Sequence, residues 1–301
     1  MKVLQVPDAA SAEFSNDGNF LVAAGDEQVR IWPMNRLGGS PKVLGTRTCP
    51  ANNGNPALLD SATFNTDGSL VVTTDQNGSA CVWNVSDGTR VQVFTEPVGV
   101  RGGVAGGTGV GASAMRWAVF RPNENQVLTA SDDGTARLWD VATGRQLQVF
   151  AEPTGEAIND AWFSPGGGEV VTASDDGTAR IWNTADGVLL RTLGGGDRSA
   201  VYNAAFSRDG RLVVTCSGSS AVIWSAQSGQ SLTELQYGST ISDCEFSPDG
   251  SRVVTAGDNG QTRIFSTELD GGIARIMQFA QQRATQPLTP SEQKQENQAG
   301  G

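Results

Sequence analysis

A phrase built from an aromatic residue and a glycine turn recurs along the chain: FSNDG from Phe14 to Gly18, FNTDG from Phe64 to Gly68, FSPGG from Phe163 to Gly167, FSRDG from Phe206 to Gly210 and FSPDG from Phe246 to Gly250. A looser copy, FRPNEN, starts at Phe120. About 18 residues behind each comes a second phrase: VRIW at Trp32, ACVW at Trp83, ARLW at Trp139, ARIW at Trp182, AVIW at Trp224 and TRIF at Phe265. Their final aromatics are spaced by 51, 56, 43, 42 and 41 residues. A recurrence of this period marks units that bury their apolar faces only against neighbouring units. Six units follow.

Between the two phrases lie runs such as LVVTT, QVLTA, EVVTAS, RLVVTC and RVVTAG, whose β-branched content suits a strand. Another strand follows each aromatic after a turn: RVQVF, RQLQVF, VLLRTL and QSLTEL. Each unit therefore carries four strands, a to d. The last unit stops after its third strand, while KVLQV (Lys2 to Val6) matches the fourth-strand phrase RQLQV. The N-terminal strand is thus expected to complete the last unit, which would remove two open sheet edges. Extra residues at Thr46 to Ala57 and Thr95 to Ala112 fall between strand d of one unit and strand a of the next. The second stretch is glycine-rich and is expected to be mobile; both read as tolerated surface insertions, with a partner-closing loop as the alternative.

A four-stranded unit carrying FSPDG, SDDGTARLWD and ATG resembles the WD40 repeat, over about residues 2–267 and most closely at Ser131 to Gly144 and Ser174 to Gly187. The resemblance implies an all-β fold, a single β-propeller of six four-stranded WD40-like blades closed by the N-terminal strand. The family's Gly-His dipeptide before strand a is missing, because the chain has no histidine. The family's buried His-Ser/Thr-Asp-Trp hydrogen-bond chain therefore cannot be complete in any blade. Its Asp, six residues before the aromatic, stands at Asp26, Asp133 and Asp176, is replaced by Asn77 and Asn259, and is lost at Gly218. These three aspartates read as structural turn residues.

Beyond Phe265, Ile273, Ile276, Met277 and Ala280 recur at helical spacing, and Pro287 and Pro290 follow. The expected organisation is a propeller over 1–267, a short C-terminal amphipathic helix over 268–286 and a disordered polar tail over 287–301. The wording QFAQQRATQPLTPSE is similar to tails that end bacterial multidomain proteins, in which WD40 arrays follow a kinase or an NTPase module.

Composition narrows the chemistry. Twenty-one Lys and Arg against 32 Asp and Glu leave a net charge of −11, which argues against nucleic acid or anionic membrane as partners and for a neutral or basic protein or peptide. Absence of histidine removes the commonest general base and every His-dependent triad. No P-loop, Rossmann fingerprint, GxSxG or HExxH occurs in the sequence. SDDGT lacks the alternating acidic ligands and terminal Glu of a calcium loop, so neither metal nor cofactor is expected. Adjacent pairs Asp132/Asp133 and Asp175/Asp176 read as turn residues rather than an acid/base couple. Nothing approaches the length of a signal peptide or a membrane span, so the chain is expected to be cytoplasmic. Cys49, Cys81, Cys216 and Cys244 lack CxxC spacing and read as buried free thiols of a reducing compartment.

The strand-c aromatics, one per repeat, read as packing residues. Trp117 and Trp162 are extra, in strand a, and read as core, with one exposed as the alternative. By resemblance, the chain is expected to be a non-catalytic scaffold, a monomer or part of a larger complex, binding a protein or peptide on the face that carries the d-a and b-c loops. The residue four before the strand-a Phe gives Asp60, Arg116, Asn159 and Tyr202; the residue before the turn Asp gives Asp132 and Asp175. Two rivals stand beside it. One is a sensory WD40 module of a bacterial kinase or NTPase signalling protein, with the effector on another chain or missing; the other is a propeller enzyme with carboxylates at the channel mouth.

Overall fold

A computed structural model describes residues 6, 9–25, 28–36, 40–44, 58–96, 113–194 and 199–267. Among them the strands form six antiparallel sheets, five of four strands and one of three. Sheet one holds β1 (Ala9–Phe14), β2 (Phe20–Gly25), β3 (Gln28–Pro33) and β4 (Lys42–Leu44). Sheet two holds β5 (Leu59–Phe64), β6 (Leu70–Asp75), β7 (Ser79–Asn84) and β8 (Arg90–Thr95). Sheet three holds β9 (Met115–Phe120), β10 (Gln126–Ser131), β11 (Thr135–Asp140) and β12 (Gln146–Ala151). Sheet four holds β13 (Ile158–Phe163), β14 (Glu169–Ser174), β15 (Thr178–Asn183) and β16 (Leu189–Gly194). Sheet five holds β17 (Val201–Phe206), β18 (Leu212–Ser217), β19 (Ser220–Ser225) and β20 (Ser231–Gln236), and sheet six holds β21 (Ile241–Phe246), β22 (Arg252–Gly257) and β23 (Thr262–Ser266). The expected N-terminal strand, of which only Val6 is described, and the expected C-terminal helix and tail lie outside the described residues.

From sheet one to sheet six each sheet packs face to face on the one after it, and β1, β5, β9, β13, β17 and β21 adjoin in that order around a common axis. Alternation along these innermost strands sorts their side chains. The fourth and sixth residues enter the interfaces between sheets, as Ala62 and Phe64 do against Val22, Ala24 and Ile31. The third and fifth lie on the opposite face, toward the axis and the following sheet, where Thr63 donates to the Ala118 carbonyl (2.8 Å) and Val119 packs with Ile158 and Ala161. Burial of each large apolar side chain in such an interface stabilises by about 1.5–3 kcal/mol.

Four strand-c tryptophans donate their indole N–H to a threonine of the neighbouring strand b: Trp83 to Thr73 (3.0 Å), Trp139 to Thr129 (2.9 Å), Trp182 to Thr172 (3.0 Å) and Trp224 to Thr215 (2.8 Å). A carboxylate supplies what the missing histidine would. Thr172 donates to Glu152 Oε1 (2.9 Å), and Glu152, just beyond β12 of sheet three, pairs with Arg180 of sheet four. Arg180 also bridges to Asp176 of its own b-c turn at 2.8 Å. Sheets two and three repeat the clasp through Glu96, Arg137 and Asp133. Sheets five and six use Tyr237 and Arg263, the guanidinium lying 4.6 Å from the ring centroid.

In the turns, Asp133 Oδ1 accepts from the Thr135 N–H (2.9 Å) and hydroxyl (2.6 Å), and Asp176 does the same for Thr178. In sheet two, where the sequence offers Asn77, the carboxylate comes from Asp75, whose Oδ1 accepts from the N–H groups of Asn77 (2.9 Å) and Ser79 (3.0 Å). Gly134 closes its turn at φ +82°, with the Gly155 carbonyl 2.8 Å from where a Cβ would stand, so any side chain there would strike backbone.

The cysteines are not free thiols. Cys216 and Cys244 form a disulfide between sheets five and six, with Cα atoms 6.2 Å apart. Cys81 is disulfide-bonded as well, and Cys49 lies outside the described residues. Cys216 occupies the strand-b place of Ala24 and Ala130, and Cys244 the strand-a place of Ala62 and Ala161, positions that share one interface. Inference of a reducing compartment rested on free thiols and loses that support.

Two outcomes follow. Arg180→Ala leaves Glu152 and Asp176 buried without their cation and should cost about 3–5 kcal/mol in denaturant unfolding, whereas Arg211→Ala, at an exposed pair, should stay within about 0.5 kcal/mol. Thiol titration of the denatured, unreduced chain should find Cys216 and Cys244 unreactive. Replacing both by Ala should cost up to about 3.5 kcal/mol, the chain-entropy value for a loop spanning 28 residues.

Candidate functional site

One end of the ring gathers the b-c turns and the starts of the innermost strands. Gln76, Asp132 and Asp175 donate their backbone N–H to Leu58, Ala114 and Ala157 at 3.0–3.1 Å. A register shift near the start of each innermost strand leaves Asp60, Arg116, Asn159 and Tyr202 without a cross-strand partner. Such bulges re-aim the side chain, here onto the rim.

On that rim the six expected residues fall along one arc of sheets two to five. Gln76 donates to Asp60 Oδ1 (3.1 Å), Arg116 pairs with Asp132, and Asn159 donates to Asp175 Oδ1 (2.7 Å) and to the Val201 carbonyl (3.0 Å). Asp132, Asp175 and Asp60 all surround Arg116 and hold its pKa up. Burial pushes the Asp60 carboxyl up as well. Tyr202 stands 41% exposed at the end of the arc. Asp133 and Asp176 lie below the rim in their clasps, and Asp26 lies outside the described residues, as do Thr46 to Ala57 and most of Thr95 to Ala112.

A second feature escaped the sequence reading. Axis-facing positions carry Glu13, Asp160, Asp243 and Glu245. Burial, then the Asp243 charge, pushes Asp160 up to about 8, although its Oδ2 accepts from the Trp162 indole and the Asn203 amide at 3.0 Å each. Burial, then Glu245, pushes Glu13 up to about 8. Burial also raises Asp243 and Glu245. Trp117 and Trp162 are half-buried on the same wall, ring centroids 5.5 Å apart, so neither is a wholly enclosed core residue. The signal was available: acids at the third and fifth places of strand a, where alternation demands the axis.

Rim and axis sit on a repeat that known proteins share. The family described as "WD domain, G-beta repeat" matches residues 6–33, 47–84, 108–140, 144–183, 187–225 and 229–266, well over half of the chain. The chain belongs to this WD40 family. Its six sheets are the blades of a six-bladed WD40 propeller. Among curated relatives it is similar to transcription initiation factor TFIID subunit 5 of Caenorhabditis elegans, 27% identical over 142 residues, covering 47% of this chain and 18% of that protein. It is also similar to the F-box-like/WD repeat-containing protein TBL1X of Mus musculus, 28% identical over 145 residues, covering 46% of this chain and 24% of that protein. The matched region spans a quarter or less of these relatives. A chain of the "Crystal Structure of Mitotic Checkpoint Complex" shares the fold, with TM-score 0.70 and 16% identity, covering 88% of this chain and 77% of that one. Among the described residues no helix is long and apolar enough to cross a membrane.

Raised carboxyls set the pH response. Asp160 and Glu13 bind a proton more tightly folded than unfolded, so their contribution is complete below about pH 4 and is lost as pH rises toward 8. Glu96 and Glu152, raised to about 8 and about 7 mainly by burial, act in the same direction. Melting temperature should therefore fall between pH 5 and 8. Asp160→Asn should flatten that slope; a parallel curve for the variant would refute the assignment.

Proposed function

We propose that this WD40 propeller is a non-catalytic scaffold that binds a neutral or basic protein or peptide on its b-c rim. WD40 proteins generally serve as interaction scaffolds, which supports the class. The observation that carries the site is the arc in which bulged strands lift Asp60, Arg116, Asn159 and Tyr202 beside Asp132 and Asp175. Tyrosine and arginine are common anchors of protein interfaces, and the surrounding carboxylates would steer a basic partner. Hydrogen bonds already orient Asp60, Asn159 and Asp175, so little side-chain freedom remains to be lost on binding.

Affinity capture from the source organism with mass spectrometry identifies the partner, and purified binding then tests the rim. Arg116→Ala and Tyr202→Ala should each weaken binding about tenfold, which is 1.4 kcal/mol. Unchanged affinity in both would remove the site. The second reading, a sensory module of a kinase or NTPase protein, rests on the tail wording after Phe265 and predicts that the captured partner hydrolyses or transfers nucleotide phosphate.

A further inference from the structure

Sheets two and three, and sheets three and four, are tied by a buried arginine that holds one carboxylate from each sheet. Between sheets five and six each partner of that arginine is changed. Tyr237 stands directly after strand d, where Glu96 and Glu152 stand; Asn259 takes the turn place of Asp133 and Asp176; Phe265 replaces the strand-c tryptophan. Arg263 keeps its place, but it donates to the Tyr237 carbonyl and lies over the Tyr237 ring. The Tyr237 hydroxyl is within hydrogen-bond reach of Asn259 Oδ1 (3.1 Å) and of the Gln261 carbonyl. Thr255, counterpart of the threonines that accept an indole N–H in sheets two to five, is 0% exposed, and its hydroxyl has no partner among the described residues. Among the described residues no salt bridge joins sheets five and six.

At this interface the inner residues are Cys216 and Cys244, joined as a disulfide, where sheets three and four place Ala130 and Ala161. Alanine closes that interface, so close approach does not require the bond. What the bond adds is a hold between two sheets that lack the carboxylate clasp. Cys81 fits the same pattern: it is disulfide-bonded and takes, opposite Thr73, the strand-c place that Arg137 and Arg180 hold opposite Thr129 and Thr172. We propose that the Cys216–Cys244 bond is a redox-sensitive fastener that stands in for the ionic clasp between sheets five and six, and whose reduction by a dithiol frees sheet six to open. In that step a thiolate of the dithiol attacks one sulfur, the S–S bond breaks, both cysteines leave as thiols, and the reductant gives up two electrons to become its own disulfide. The two cysteines are 0% and 1% exposed, so the reductant reaches them only through transient opening of this interface. The clasps of sheets two to four contain no sulfur and do not respond. The fastener is separate from the rim arc and acts whether or not that arc binds a partner.

Hydrogen exchange of the full chain, read by mass spectrometry before and after treatment with dithiothreitol, tests the fastener, with peptide mapping to show which bond has been reduced. Amides of β21 to β23 should exchange about tenfold faster or more once Cys216 and Cys244 are thiols, while those of β9 to β16 keep their protection. Cys216→Ala combined with Cys244→Ala gives this interface the alanine pair found between sheets three and four. That variant should show the faster exchange in β21 to β23 from the start and no further change with dithiothreitol. Cys81→Ala should retain the wild-type response, which separates the two bonds. If the double alanine variant does not fold, the wild-type comparison decides alone. Unchanged protection in β21 to β23 after the bond is reduced would overturn the proposal, as would a dithiothreitol effect there that survives in the double variant. A uniform rise across all the described sheets would overturn it too, because the bond would then staple the whole fold rather than one interface.

Discussion

Close approach of neighbouring sheets at their inner ends is the constraint on which the ring depends. Ala24 shares an interface with Ala62, Ala130 with Ala161 and Ala173 with Ala204, so small side chains stand between the sheets beside the axis. Farther out, Phe94 stacks on Trp139 at 5.3 Å between sheets two and three, and Phe150 lies against Trp182 at 6.2 Å between sheets three and four. Small side chains at these places let neighbouring sheets approach closely there, and aromatic side chains fill the interfaces farther out. Where two alanines become Cys216 and Cys244, the approach is short enough for a covalent bond.

Removing histidine from this architecture leaves the strand-b threonine and the b-c turn without their usual link, and the chain answers with charge. Glu152 accepts from Thr172 and meets Arg180, which reaches Asp176, so one buried chain runs from Trp182 through two sheets to a turn. Such a network is costly to desolvate and stable only when its members are satisfied. Arg137 and Arg180 each hold two carboxylates, one from the turn of their own sheet and one from the sheet before. These clasps therefore fix neighbouring sheets to each other at the rim end, which is where the bulged residues are displayed.

What could be read from the sequence was whatever repeats locally. Strand positions, tight turns at Asp133 and Asp176, the tryptophan of strand c and the bulged residue four before each Phe all lie within one unit, so the periodic pattern reveals them. Missed features join different units. Cys216 and Cys244 are separated by 28 residues and look unrelated until strand b of one unit is set beside strand a of the next. Glu96 and Glu152 sit in the connection after strand d, outside the recognised phrases, and their partners are arginines of the following unit. Asp75 replaces the expected turn acid from two residues upstream, a substitution that only hydrogen-bond geometry distinguishes from a strand end. The axial carboxylates differ between units, so they carry no period at all.

That irregularity separates function from folding on the axis. The fifth place of the innermost strand holds Val119 in sheet three and Ala205 in sheet five, so the fold accepts apolar side chains there. Glu13 and Glu245 occupy the same place in sheets one and six, and each is pushed toward its neutral form by burial and a neighbouring like charge. At neutral pH this arrangement opposes folding, as the raised pKa values of Glu96 and Glu152 also do, but those two have an arginine partner across the interface whereas Glu13 and Glu245 have a like charge.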